Sequence, residues 1–114
     1  GTSANPELVL KTESTRLLAR ISKELEVVAL TRSGRTMDSR ELAKYLEHRA
    51  LTASAGVAFI IGGAYGLAEG VLARAQQKLS LSPMTLPHQV ARLVLSEQLY
   101  RAGTILRGEP YHKG

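Results

Sequence analysis

Apolar residues recur along this 114-residue chain in two rhythms, and their alternation outlines the elements. Asn5-Pro6 predicts a helix start, with Asn as N-cap and Pro at the first helical position. Leu10, Leu17, Leu18 and Ile21 follow at near-helical spacing, which carries a first helix to about Ser22. Leu25–Thr31 (LEVVALT) is short, β-branched and apolar, the pattern of a buried strand. Arg32-Ser33-Gly34-Arg35 predicts a turn. Asp38 followed by Glu41 has capping-box spacing, so a second helix should place Leu42, Tyr45, Leu46 and Arg49 on neighbouring turns. Gly56–Ile61 (GVAFII) predicts a second buried strand that stops at Gly62-Gly63. A short helix over about Ala68–Gln77 turns Leu67, Val71, Leu72 and Ala75 to one face, and Leu79–Ser82 reads as a third short strand. Pro83 and Pro87 then hold a loop that cannot be helix interior. A long helix of about Gln89–Arg107 closes the pattern and is ended by Gly108.

Strands alternating with helices imply an α/β fold with a mostly parallel sheet. In such sheets ligands bind beyond the carboxyl ends of the strands, where residues 62–67 and 82–88 fall. The length suits one domain, 1–114, and residues 1–4 have the character of a tag remnant. With one Phe and no Trp the core must be aliphatic, and so small a core favours a homo-oligomer.

Charge and histidine placement narrow the chemistry. The net charge of +5 is compatible with a polyanionic partner, because neutralising phosphates releases counterions. No run of consecutive basic residues concentrates it, so composition alone is equally that of a protein that happens to be basic. Without cysteine there are no disulfides or thiolate metal sites, and His48, His88 and His112 lack metal-motif spacing, so no metal is expected. The longest apolar stretch, Val57–Ile61, is too short to cross a bilayer. With no secretory pattern visible, a cytoplasmic protein without membrane contact is expected.

Two loops can carry chemistry. Gly62-Gly63-x-x-Gly66 lets backbone approach a ligand closely, although many strand-to-helix turns need glycine only to reverse direction. It lacks the G-x-G-x-x-G dinucleotide spacing, and no phosphate-loop motif occurs. Ser82-Pro83-Met84-Thr85-Leu86-Pro87-His88 is more specific, because prolines four residues apart fix an extended backbone with unpaired polar groups. A polar heterocycle such as adenine would satisfy them; a rigid solvent-facing connection is the plainer account. His88 suits a local helix-start bond, an RNA contact or a proton acceptor. Glu97 and Arg101 are spaced for an ordinary i,i+4 salt bridge.

As a set, Val57–Leu67 (VAFIIGGAYGL), Leu79–His88 (LSLSPMTLPH), Ala91–Ala102 (ARLVLSEQLYRA) and Pro110–Lys113 (PYHK) resemble the RlmH family. These are the large-subunit ribosomal RNA pseudouridine-N3 methyltransferases of the SPOUT superfamily. The resemblance covers about Ser14–Gly114 and is strongest from Val57 onward. It implies an α/β trefoil knot, a homodimer, S-adenosylmethionine as methyl donor and pseudouridine of 23S ribosomal RNA as acceptor. By position, the cofactor site would use Leu30, Thr31, Gly62 and Gly63 with Ser82, Pro83, Met84, Thr85, Leu86 and Pro87. The catalytic, RNA-facing side would use His88, Arg101, Tyr111 and His112, near the cofactor of the partner subunit. Members usually begin with a strand, a helix and a second strand, roughly forty residues that this sequence does not show. The alternative is a knotted, dimeric RNA-binding protein that keeps the pocket without catalysis.

Overall fold

The computed structural model describes residues 16, 18–21, 23–51, 56–62 and 67–110. Within them the element order is β1 (Glu26–Thr36), α1 (Ser39–Leu51), β2 (Val57–Ile60), α2 (Glu69–Arg74), β3 (Gln77–Ser80) and α3 (His88–Arg107). Of the helix expected before β1, Arg16 and Leu18–Arg20 are helical, Ile21 is already a bend, and the rest of that expectation lies outside the described residues.

The three strands form a parallel sheet in the order β2-β1-β3. The central strand is covered on both sides, which explains its unbroken run of apolar residues. Val27, Val28 and Ala29 are essentially without exposure. On one face Val27 packs with Ile60 of β2 and Val71 of α2, beside Leu18, Ile21, Leu67 and Ala75. A second cluster unites Leu42 and Ala43 of α1 with Ala102 of α3, closed by Phe59, Leu46, Leu99 and Ile105. The sheet is therefore a middle layer between α2 and the α1–α3 pair.

Local signals set the start of α1 and the end of α3 where the sequence predicts. The Glu41 N–H donates to Asp38 Oδ1 (2.7 Å) and the Asp38 N–H to Glu41 Oε1 (3.1 Å), a complete capping box before α1. Gly108 closes α3 in the left-handed conformation, φ 70°, and the Glu109 N–H reaches back to the Thr104 carbonyl at 2.9 Å.

Three elements differ from the sequence reading by two residues or more at an end. First, β1 does not stop at Thr31. Leu30 and Arg35 both stand opposite Leu79, so residues 31–34 form a bulge and pairing resumes at Arg35 and Thr36. The predicted turn is thus a bulge inside the strand. Ser80 Oγ donates to the Arg32 carbonyl at 3.0 Å, and Gly34 lies flush against the Lys78 backbone. Second, β3 starts and ends two residues early, at Gln77–Ser80. Its polar start is hidden from an apolar count because an edge strand is held by backbone bonds. Third, α2 stops at Arg74. The Gln76 N–H is taken by the Val27 carbonyl (3.0 Å) while its side-chain oxygen accepts the Val27 N–H (2.7 Å).

At the start of β1, Glu26 accepts hydrogen bonds from the Tyr45 hydroxyl and from Arg49 (3.0 Å), tying the strand to the end of α1. Burial, then the hydrogen bond to Glu26, raises the Tyr45 phenol above its ordinary value.

Two outcomes follow from this packing. A Cβ at Gly34 would meet Lys78 C and Leu79 N at 2.7 and 2.8 Å, backbone atoms that cannot swing aside. Gly34→Ala should therefore cost about 1–3 kcal/mol, read as a lower melting temperature. The folded protein holds the Tyr45 proton more tightly than the unfolded chain does, so the stability it supplies is complete below about pH 10. It is lost as pH rises further; denaturant titrations at pH 8 to 11 should fall more steeply for the native protein than for Tyr45→Phe.

Candidate functional site

Parallel strands deliver their ends to one edge of the sheet, and the cleft opens there. Its volume is about 630 Å³. The end of the regular part of β1 contributes Leu30, Thr31 and Arg32, and the segment after β2 contributes Ile61 and Gly62. The loop after β3 contributes Leu81, Ser82 and Met84–Pro87, and the first turn of α3 adds His88 and Ala91. Leu67 and Leu72, before and within α2, complete the apolar wall. An apolar cavity with a few convergent polar groups is the usual form of a small-molecule site.

Of the residues singled out as a cofactor set, Leu30, Thr31, Gly62, Ser82, Met84, Thr85, Leu86 and Pro87 line this one cleft. Pro83 is not among its walls; its ring shapes the loop. Gly63 lies outside the described residues, as do Tyr111 and His112. His88 stands at the rim. Arg101 does not reach this cleft: it is about 20 Å further along α3 at 1.5 Å per residue. There it makes the expected salt bridge, with Glu97 Oε1 accepting at 2.7 and 3.1 Å. Ile61, Leu67 and Leu81 lie within the runs 59–67 and 79–88 that the sequence points to, whereas Arg32, Leu72 and Ala91 are lining residues that sequence reasoning missed. Their common signal is position, at strand ends and on the sheet-facing side of the helix that follows.

The loop behaves as its prolines require. Ser82 Oγ accepts the Met84 N–H at 3.0 Å, and among the described residues no backbone–backbone bond closes residues 82–86. The edge groups of a bound heterocycle would find partners in these amides and carbonyls. Thr31 supplies a second such signal. Its Oγ1 is buried and, among the described residues, has no hydrogen-bond partner. Burying an unpaired hydroxyl costs about 1–3 kcal/mol, so its place beside the cleft points to a ligand group that pairs with it. No group of three His, Asp or Glu among the described residues is placed to hold a metal ion. No helix among them is long and apolar enough to cross a membrane.

A family model described as Predicted SPOUT methyltransferase matches residues 1–112. The chain is 51% identical over 113 residues to Ribosomal RNA large subunit methyltransferase H of Gemmatimonas aurantiaca, covering 99% of this chain and 73% of that one. It is 52% identical over 106 residues to the protein of the same name from Shouchella clausii, covering 93% and 67%. With that of Carboxydothermus hydrogenoformans it shares 47% over 110 residues, covering 96% and 69%.

The buried hydroxyl gives a direct test of the cleft. Thr31→Val keeps the shape and removes the unpaired group, so the ligand-free variant should melt at or above the native temperature. A drop of several degrees would show that the hydroxyl has a structural partner instead.

Proposed function

The chain belongs to the SPOUT methyltransferase family, and from that premise we propose that it methylates N3 of pseudouridine in 23S ribosomal RNA of the large subunit, using S-adenosylmethionine. The observation that carries this reading is the convergence of Leu30, Thr31, Gly62 and the Pro-bounded loop on one cleft at the carboxyl edge of a parallel sheet.

The residues present suit such a cofactor. The apolar walls, including Leu30, Leu72 and Leu86, would cover the faces of its adenine, and the Thr31 hydroxyl with the backbone of residues 82–87 would bond its polar edges. When bound, S-adenosylmethionine supplies a methyl group already activated on a sulfonium. What remains for the protein is positioning and proton removal, and alignment of reactants alone is worth several kcal/mol. His88, exposed at the rim, is assigned as acceptor of the N3 proton. Arg101, Tyr111 and His112 are assigned to the acceptor side of the partner subunit's cleft, where a cation steadies the developing anion.

Homodimerisation belongs to this reading, and α3 supports it. Leu93 is 70% exposed and Tyr100 55% exposed, and Val90 and Leu106 are also open, more apolar surface than an isolated helix face ordinarily presents to water. The trefoil knot, a single domain over 1–114 and action in the cytoplasm are parts of the same proposal.

Calorimetric titration with S-adenosylmethionine tests it. Binding in the micromolar range is expected, and His88→Ala should bind the cofactor normally while transferring methyl to large ribosomal subunits about 100-fold more slowly. No binding at high micromolar cofactor would overturn the enzyme reading. Subunit binding without cofactor binding would leave a knotted RNA-binding protein.

A further inference from the structure

Arg32 holds a position in the cleft that the function above leaves unused. Its backbone is fixed, since its carbonyl accepts the Ser80 hydroxyl at 3.0 Å and the bulge that carries it is seated on β3 through Gly34. Its side chain is exposed on the rim and crosses the mouth. Nη1 donates to Thr85 Oγ1 at 3.0 Å, joining the β1 bulge to the Pro-bounded loop on the other wall.

The chemistry of that contact is lopsided. Arg35, Arg49, Arg101 and Arg107 all face carboxylates. Arg32 meets no carboxylate among the described residues, only a neutral hydroxyl that is itself exposed. A guanidinium has five N–H donors in a planar fork suited to two oxygens of an anion, and one hydroxyl engages one of them. Charge-assisted bonds to an oxyanion are roughly twice as strong as neutral ones. An anion arriving at the mouth would therefore displace Thr85 readily.

The rim position decides which anion. The inner wall is Leu30, Thr31, Ile61 and Gly62, so the open side of Arg32 faces whatever approaches from solvent. An RNA nucleotide presented to this cleft brings a backbone phosphate on each side of its base.

We propose that Arg32 is a positioning residue for the RNA, exchanging its Thr85 contact for a backbone phosphate beside the target nucleotide. The proposal rests on the RNA methyltransferase reading. It concerns an atom pair that reading does not use.

The test compares native protein, Arg32→Ala and Arg32→Lys in three measurements: cosedimentation with large ribosomal subunits, steady-state methyl transfer to them, and calorimetry with S-adenosylmethionine alone. For Arg32→Ala, subunit affinity should weaken and KM for subunits rise, each by about tenfold, the loss expected for one charged hydrogen bond. Its kcat and cofactor affinity should stay within twofold of native. Arg32→Lys should recover part of the subunit affinity, because it keeps the charge that a phosphate needs but loses the fork that engages two of its oxygens. Unchanged subunit affinity in Arg32→Ala would overturn the proposal. So would a loss confined to cofactor affinity, which would assign Arg32 to a cofactor carboxylate. If the native protein bound subunits without transferring methyl, the enzyme reading would fall while cosedimentation still decided the role of Arg32.

Discussion

Val27, Val28 and Ala29 lose their exposure because a helical layer lies on each face of the sheet, and the cleft inherits its position from that burial. A fully buried valine contributes about 1.5–3 kcal/mol, so this short segment is among the strongest local terms in a core with few aromatics. It also fixes direction. With β1 central and both neighbours parallel to it, the chain leaves all three strands toward the same edge. Leu30-Thr31 where the β1 bulge begins, Ile61-Gly62 after β2 and the loop after β3 meet there because the three strands cannot slide independently.

The same constraint explains why the loop after β3 is rigid rather than long. It must carry the chain from an edge strand to the start of α3 while staying beside the cleft. Pro83 and Pro87 restrict it, and Pro87 is the N-cap of α3, with its carbonyl accepting the Ala91 N–H at 2.9 Å. Among the described residues no backbone–backbone bond closes residues 82–86, so a group bound there would meet a backbone already restricted by its prolines. The bulge of β1 completes the arrangement from the other wall. It interrupts the register with β3 for residues 31–34 and restores it at Arg35, and Arg32 lines the cavity from the bulge.

Function divides along that geometry. In the proposed reading a heterocyclic cofactor would be held by the cleft of one chain, beside the Thr31 hydroxyl that has no hydrogen-bond partner among the described residues. Acting on RNA requires groups at or beyond the rim. His88 and Arg32 are there, whereas Arg101 is far down α3 beside its exposed apolar stripe, a placement that makes sense if a second chain brings it to a cleft.

Much of this was legible in the sequence, for local reasons. The capping box at Asp38 and Glu41, the left-handed Gly108, the proline-bounded loop and the apolar run of β1 each depend on neighbours within a few residues, so sequence spacing is enough to read them. The Glu97–Arg101 pair is local in the same sense. The edges of the sheet were not legible. The start of β3 at Gln77 and the end of α2 at Arg74 are set by Val27, whose backbone groups claim Gln76 from far along the chain. The predicted turn at Arg32–Arg35 became a bulge because Ser80 and the Lys78 backbone hold it against the neighbouring strand. What the sequence alone determined was the set of elements and the two loops able to carry chemistry. That Thr31, Gly62, Thr85 and Arg32 share one cavity was decided by parallel pairing around a buried central strand, because only that pairing brings their separate strand ends to one edge.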